Sequence, residues 1–163
     1  MHEDLFTIEP GQGIGGVKFG DSTEQLQERL GLADEIEDVG QSATFWRYGL
    51  LKLEFGFQSA DWPLVTLNNR LVNFMSRHPA TTLWGKQIIK CPKDEVLDIF
   101  REHGCGGFAE SDEVVGPIHY TTVRVEQLHV VLDFGDGLLK SILWATRNCN
   151  GEKMNWLSRA NGD

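Results

Sequence analysis

One pattern of residues occurs twice in this chain, and it limits the possible fold more than any other feature. The stretch GGVKFGDSTEQLQERL (Gly15 to Leu30) aligns without a gap with GKQIIKCPKDEVLDIF (Gly85 to Phe100). Further along, LLKLEFGF (50–57) and HVVLDFGD (129–136) share the order Leu-acid-Phe-Gly. Because both matches occur in the same order, the sequence predicts a tandem duplication.

Each copy is predicted to contain a short strand, a helix, a loop and a meander of about three strands. The predicted strands cover 44–48, 50–57, 65–75, 118–125, 128–134 and 138–146. Consecutive strands joined by short turns pair antiparallel. The expected fold class is therefore α+β, with two tandem helix-plus-antiparallel-meander repeats forming one sheet and the helices packed on one face. We expect a single domain over 1–163, with repeats at about 10–78 and 82–147 and a weakly structured tail at 148–163.

The opening glycines form a literal G-x-G-x-x-G from Gly11 to Gly16, the pattern of a dinucleotide-binding loop. Such a loop follows a buried strand and contains the start of a helix. Here Pro10 precedes the glycines, and a strand pattern at 17–19 follows them before any helix. The glycines are therefore interpreted as turn residues with positive φ.

The helix boundaries carry recognisable signals in both copies. In the first copy Asp21 is predicted to cap the helix, Glu24 to close a capping box and Gly31 to end the helix. In the second copy Pro92 stands where the first helical residue is expected, and Gly104 follows the helix.

The stretch PGQGIGGVKFGDSTEQLQERLG resembles the opening of a broad bacterial group of small proteins. A helix followed by an antiparallel sheet, present once or in tandem, is similar to the β-lactamase-inhibitor-protein-like fold, whose relatives include small outer-membrane assembly lipoproteins and proteins encoded beside bacterial toxins. The chain departs from the secreted inhibitor in having no export signal and no expected disulfides. It departs from the lipoproteins because its first cysteine is Cys91. The resemblance implies an intracellular binding module.

Charge and composition exclude several partners. The 24 acidic and 15 basic residues give a formal charge of −9, which repels nucleic acid and anionic lipid and attracts a basic protein. The sequence has no run of about 18 apolar residues and no basic, apolar leader. The three cysteines are an odd set, so free thiols are expected. These features together predict a cytoplasmic protein without a membrane span.

Groups that could carry chemistry are few. Cys91, His103, Cys105 and His119 lack zinc-ligand spacing, and Cys105 beside His103 lacks the context of a catalytic nucleophile. No metal or cofactor is expected, and we predict that the chain is not an enzyme. Two strand carboxylates, Glu54 and Asp133, alternate with apolar residues and should point away from the core. They are either solvated strand acids or the centre of a binding face.

The acidic segments are the strongest candidates for a binding surface. ADEIED (33–38) and AESDE (109–113) follow the helix of each copy and are interpreted as loops that frame one concave surface, with solvated charge as the alternative. Trp62, in a polar segment, is either an exposed anchor or folded over a sheet edge. The predicted contact residues are Asp34, Glu35, Glu37, Asp38, Trp62, Asp112 and Glu113.

The function predicted from these features is a protein-binding module, specifically the immunity protein of a basic and possibly nuclease toxin. One alternative is a small-ligand binder or enzyme with a pocket between the repeats, near His103, Cys105 or His119. A second alternative is self-association through a sheet edge.

Overall fold

The computed structural model describes residues 2–40, 43–59 and 69–146, and this part of the chain is mostly β-structure. Its strands are β1 (Thr7–Glu9), β2 (Gly13–Ile14), β3 (Val17–Lys18), β4 (Glu35–Gly40), β5 (Ala43–Tyr48), β6 (Leu53–Ser59), β7 (Asn69–Ser76), β8 (Thr82–Leu83), β9 (Lys86–Gln87), β10 (Ala109–Val115), β11 (Ile118–Val125), β12 (Val130–Gly135) and β13 (Leu138–Ala145). The α-helices are α1 (Thr23–Leu30) and α2 (Lys93–Glu102), and 3-10 turns cover His2–Phe6 and Glu126–Leu128.

The strands form two sheets. The large sheet has eight strands in the order β10-β11-β12-β13-β7-β6-β5-β4, and every neighbouring pair is antiparallel. It contains two four-stranded meanders whose last strands, β7 and β13, pair at the centre. The small sheet has the order β3-β2-β1-β8-β9, and its β1 and β8 are parallel.

The predicted fold class is therefore wrong. The described chain is mostly β, with two sheets and two short helices, and it is not an α+β fold of tandem helix-plus-meander repeats on one sheet. Two kinds of segment account for the difference. The glycine-rich opening pairs with 82–87 as a second sheet, and both acidic segments that were interpreted as loops are strands.

Buried and partly exposed side chains alternate along the strands of the large sheet, so one face of the sheet packs against the core. In β12, Val130, Leu132 and Phe134 are buried while Val131 and Asp133 are half-buried. In β6, residues 53, 55 and 57 are buried in the same way, so the prediction that Glu54 and Asp133 point away from the core is confirmed. The turn at 136–137 also forms, because Asp136 and Gly137 both have positive φ, as a tight hairpin requires.

One hydrophobic cluster joins this face to the helices and the small sheet. Helix α1 contributes Leu26 and packs against β7, and α2 contributes Val96 and Phe100 and packs against β13. At the central seam Trp144 pairs in register with Phe74, and both side chains are fully buried. Full burial of a large apolar side chain contributes about 1.5–3 kcal/mol, so the seam is a major source of stability.

The cap of α1 differs by one residue from the prediction. The Ser22 hydroxyl accepts a hydrogen bond from the Gln25 backbone N–H, and the Gln25 side chain accepts one from the Ser22 N–H, so these two residues form the capping box. Asp21 instead accepts a hydrogen bond from the Lys18 N–H at 2.8 Å and closes the preceding turn. Gly31 ends the helix as predicted, with φ of 82°.

The opening glycines are packed against the chain itself. Gly15 has φ of 61°, and a Cβ at this position would overlap the Leu5 carbonyl. The Arg29 side chain lies over Gly16, and its Nε donates a hydrogen bond to the Gly15 carbonyl. The positive-φ interpretation is confirmed for Gly11, Gly15 and Gly16, whereas Gly13 lies in β2.

Replacing Gly15 with alanine should therefore destabilise the protein more than replacing Gly20. Both glycines have positive φ, at a cost of about 1–2 kcal/mol for an alanine, but a Cβ at Gly20 meets no atom within 4 Å. The overlap with Leu5 adds about 1–3 kcal/mol for Gly15→Ala. Urea denaturation of both variants measures the difference in the free energy of unfolding, and equal losses would contradict the packing described here.

Candidate functional site

The two acidic segments lie at opposite edges of the large sheet. The first forms β4 and the second forms β10, the outermost strands at the two ends of the strand order. Neighbouring strands are about 4.8 Å apart, so seven spacings separate the edges by roughly 34 Å along the sheet. The segments predicted as loops are therefore strands at the two ends of the sheet, and each edge has to be considered separately.

One arginine contacts two of the acidic side chains of β4. Arg47 lies on β5 and forms ion pairs with Glu35 at 3.3 Å, Glu37 at 2.7 Å and Glu54 at 3.4 Å. The hydrogen bond to Glu37, together with the three nearby carboxylates, raises the pKa of Arg47 above its ordinary value. These contacts hold the carboxylates against their own sheet and leave them less available to a partner.

Two further predicted contact residues have local structural roles near β4. Asp34 accepts a hydrogen bond from the Gly49 N–H at 2.6 Å, and Asp38 accepts one from the Gly40 N–H at 2.9 Å. Asp34 therefore stabilises the turn that begins at Gly49, and Asp38 stabilises the irregular end of β4. Trp62 lies outside the described residues.

The β10 edge, residues 109–115, is more open. Each of its seven side chains is exposed, whereas β4 keeps one residue partly covered. Glu110 pairs with Lys93 of α2 at 2.7 Å, and Glu113 has no ion pair among the described residues. The Glu110 hydrogen bond raises the pKa of Lys93. The β10 edge therefore presents negative charge that the protein compensates only in part.

Asp112 is held by β11. Its Oδ1 accepts a hydrogen bond from the Thr121 hydroxyl at 2.7 Å and lies 3.3 Å from Nε2 of His119. The Thr121 hydrogen bond and the attraction of His119 lower the pKa of Asp112 below its ordinary value. Oδ2 accepts no hydrogen bond within the described residues, so one oxygen of an ionised carboxylate remains free.

The backbone pairing of β11 shows which groups of β10 point outward. The Asp136 N–H donates to the His119 carbonyl, so the backbone of His119 faces β12. Backbone groups alternate along a strand, and neither ladder of β11 contains a register shift. Residues 120, 122 and 124 therefore face β10, where they form hydrogen-bonded pairs with residues 113, 111 and 109. The N–H and C=O groups of Glu110, Asp112 and Val114 consequently point away from the sheet.

The two faces of the β10 edge differ in chemistry. Val123 is buried on the helix side of the sheet and lies opposite Glu110, so Glu110, Asp112 and Val114 share the helix-side face. Val115 lies on the outer face and is 53% exposed, and Val114 is 71% exposed on the helix-side face. The strand is therefore apolar at its hairpin end and acidic in its middle.

The cysteine and histidine candidates do not converge. No group of three metal-binding side chains occurs among the residues that the structure describes. His103 stacks on Trp84 with ring centroids 3.8 Å apart, and its Nδ1 contacts the Ile99 carbonyl at 2.9 Å. Cys105 is buried, and its burial raises the pKa of the thiol. Its Sγ contacts the backbone carbonyl of His103 instead of the ring.

Glu54 and Asp133 are too far apart to work as an acid-base pair. They lie on β6 and β12, three strand spacings apart, or roughly 15 Å. The paired catalytic carboxylates of glycoside hydrolases, for comparison, are about 5–9.5 Å apart. Each is also bound locally, since Arg47 pairs with Glu54 and the Thr122 hydroxyl donates to Asp133 at 2.8 Å.

An open, polar cleft of about 430 Å³ lies beside α1. It is lined by Gly16, Lys18, Asp21, Gln25, Glu28 and Arg29. None of His103, Cys105 and His119 lines it, so this cleft is not the pocket that the small-ligand alternative requires.

Sequence comparison finds no match, whereas structure comparison finds proteins of similar fold. No protein-family model matches the chain, and no curated protein sequence matches it. One similar crystal structure is an extracellular protein containing an SCP domain from Bacillus anthracis, with 13% identity, a TM-score of 0.50, and coverage of 78% of this chain and 44% of that chain. Another is a cysteine-rich secretory protein from Staphylococcus aureus, with 12% identity, a TM-score of 0.49, and coverage of 89% of this chain and 50% of that chain. The chain thus spans half or less of each solved structure.

These findings correct several predictions. The fold is similar to that of a protein containing an SCP domain, so the resemblance to the β-lactamase-inhibitor-like fold was wrong. The hypotheses of an immunity protein, a toxin inhibitor and a tandem-repeat fold are overturned with it. The expected cytoplasmic location is contradicted as well, because the similar Bacillus anthracis protein is described as extracellular. At 13% identity that likeness is one of fold. No helix in the described ranges is long and apolar enough to cross a membrane.

Hydrogen exchange provides a direct test of the β10 edge. The amides of Glu110, Asp112 and Val114 should exchange rapidly because their N–H groups face solvent, while those of Ser111 and Glu113 should be protected by β11. Residue-resolved NMR exchange measures this alternation. Uniform protection from 109 to 115 would contradict the open edge.

The thiols should react at different rates. In a Cys149→Ser background, iodoacetamide should label Cys91 about tenfold faster than Cys105, because burial keeps the Cys105 thiol protonated and covered. Peptide mass spectrometry over time measures both rates. Denaturant should remove the difference, and equal rates in the folded protein would show that Cys105 is accessible.

Proposed function

We propose that this chain is a non-enzymatic protein-binding module whose β10 edge accepts an extended, basic segment of a partner as an additional strand. The supporting observation is the combination of outward backbone groups at Glu110, Asp112 and Val114 with exposed carboxylates beside them. In strand addition the backbone hydrogen bonds supply affinity, and the side chains on either face supply specificity.

The charge of the edge favours a basic partner over a second copy of this chain. Pairing of two β10 strands would bring two sets of Glu110, Asp112 and Glu113 together, and like charges opposite each other in a sheet are destabilising. The formal charge of −9 adds a field that repels another copy and accelerates the approach of a basic protein.

The β10 edge is better suited to this role than β4. Arg47 already binds Glu35 and Glu37, and a basic partner strand would have to compete with that arginine. On β10, Lys93 binds Glu110, while Glu113 has no ion pair among the described residues and one oxygen of Asp112 has no hydrogen-bond partner there.

The described candidates for chemistry support a non-enzymatic role. The Cys105 thiol is buried with a raised pKa, the His103 ring is stacked on Trp84, and Glu54 is engaged by Arg47. A nucleophile needs a reactive form and a base within hydrogen-bond reach, and neither His103 nor another described side chain supplies that base to Cys105.

The proposal is tested with a capped peptide of four Lys-Thr repeats and a Gln-Thr control. The lysine peptide should bind, and its affinity should fall as salt is added. The bound peptide should protect the amides of Glu110, Asp112 and Val114 from hydrogen exchange. Val114→Pro should lower affinity at least about tenfold, because it removes an outward N–H while leaving the charge unchanged. Val114→Ala, which retains the N–H, is the matched control.

Three outcomes would contradict the proposal. They are no saturable binding up to about 1 mM peptide, undiminished binding to Val114→Pro, and a chain that self-associates through β10. Protection of Ser111 and Glu113 in the proline variant verifies that the β10–β11 ladder is intact.

A further inference from the structure

We infer that the partner strand runs antiparallel to β10 and carries the pattern apolar-x-basic-x-basic, with these three side chains on the helix-side face opposite Val114, Asp112 and Glu110. This inference rests on the proposed function, since it describes the segment that the β10 edge would accept.

The pairing geometry fixes which partner side chains share a face. An added antiparallel strand would form hydrogen-bonded pairs with the outward backbone groups of Glu110, Asp112 and Val114. Directly opposite residues in such pairs place their side chains on the same face, with Cβ atoms about 5 Å apart. Every second partner residue therefore meets the helix-side face.

Negative charge on that face is concentrated at two positions. Lys93 contacts Oε1 of Glu110, and both Thr121 and His119 contact Oδ1 of Asp112. The second oxygen of each carboxylate has no protein partner within the described residues. A lysine or arginine opposite each residue would reach that oxygen and form a charge-assisted hydrogen bond.

The hairpin end of the edge has a different preference. Val114 is 71% exposed and follows the two acids on the same face, and Gly116 and Pro117 then turn the chain into β11. An apolar partner residue opposite Val114 would remove apolar surface from water, whereas a lysine there would have no carboxylate directly opposite it. The helix-side face of β10 is thus apolar at its hairpin end and acidic further along. A partner segment and its reversed sequence would therefore place different side chains opposite these positions.

The antiparallel orientation of the partner strand matches the pairing within the large sheet. Every neighbouring pair in the eight-stranded sheet is antiparallel, and antiparallel pairs are slightly more stable per residue than parallel ones. The partner therefore enters with its apolar residue at the hairpin end, opposite Val114, and continues with its basic residues towards Ala109.

Three capped peptides of identical composition test the pattern. They are Thr-Val-Thr-Lys-Thr-Lys-Thr, its reversed sequence Thr-Lys-Thr-Lys-Thr-Val-Thr, and Thr-Val-Thr-Thr-Lys-Lys-Thr with adjacent lysines. The first should bind about fivefold tighter than either isomer, because only it places both lysines and the valine opposite their matching residues. A nitroxide at its N-terminus should broaden the amides of Val115 and Gly116 and spare that of Ala109.

Charge variants locate the preferred face. Asp112→Asn should weaken binding of the first peptide about fivefold, and Glu113→Gln, on the outer face, should weaken it less. Glu28→Gln removes one charge from α1 and is the matched control, with an expected change of less than about twofold.

The two proposals fail in different ways. Equal affinities for the three peptides, or equal effects of Asp112→Asn and Glu113→Gln, would overturn the pattern while loss of binding in Val114→Pro still supports strand addition. An unchanged peptide affinity in the Val114→Pro variant would overturn the proposed function and the pattern together.

Discussion

The pairing of β7 with β13 is the contact on which the rest of the large sheet depends. This pairing joins the two four-stranded meanders into one sheet. It also places Trp144 opposite Phe74 at the buried seam. Because the last strand of each meander lies at the centre, the first strand of each must lie at an edge. The positions of β4 and β10, and hence of the acidic segments, follow from this one pairing.

An edge strand has unpaired backbone groups, and proteins commonly protect such edges with charge. Both edges of this sheet carry acidic side chains, but the contacts of these side chains differ between the two edges. Arg47 binds three carboxylates beside β4, while β10 retains exposed acids next to outward N–H and C=O groups. The same negative charge that discourages pairing with another copy makes β10 complementary to a basic strand.

Much of the interior was predictable because burial leaves a periodic signal. The alternation around Glu54 and Asp133, the turn at Asp136 and the positive φ of the opening glycines all follow from side-chain pattern. The strands β4 and β10 were missed because their side chains bury almost nothing, so no apolar alternation marks them. Val114 and Val115 before Gly116-Pro117 were the available hairpin signal. The roles of Arg47 and Lys93 include ion pairs with Glu37, 10 residues away, and with Glu110, 17 residues away, which local pattern does not show.

The full exposure of β10 has an evolutionary consequence. A substitution at 109–115 removes no buried contact, so its effect on folding is limited mainly to strand propensity and cross-strand pairs. The residues that would choose a partner are thus separated from the residues that hold the chain together. Selection can alter recognition here at low risk to the scaffold, and homologous chains should diverge fastest along this rim while Trp144 and Phe74 change slowly.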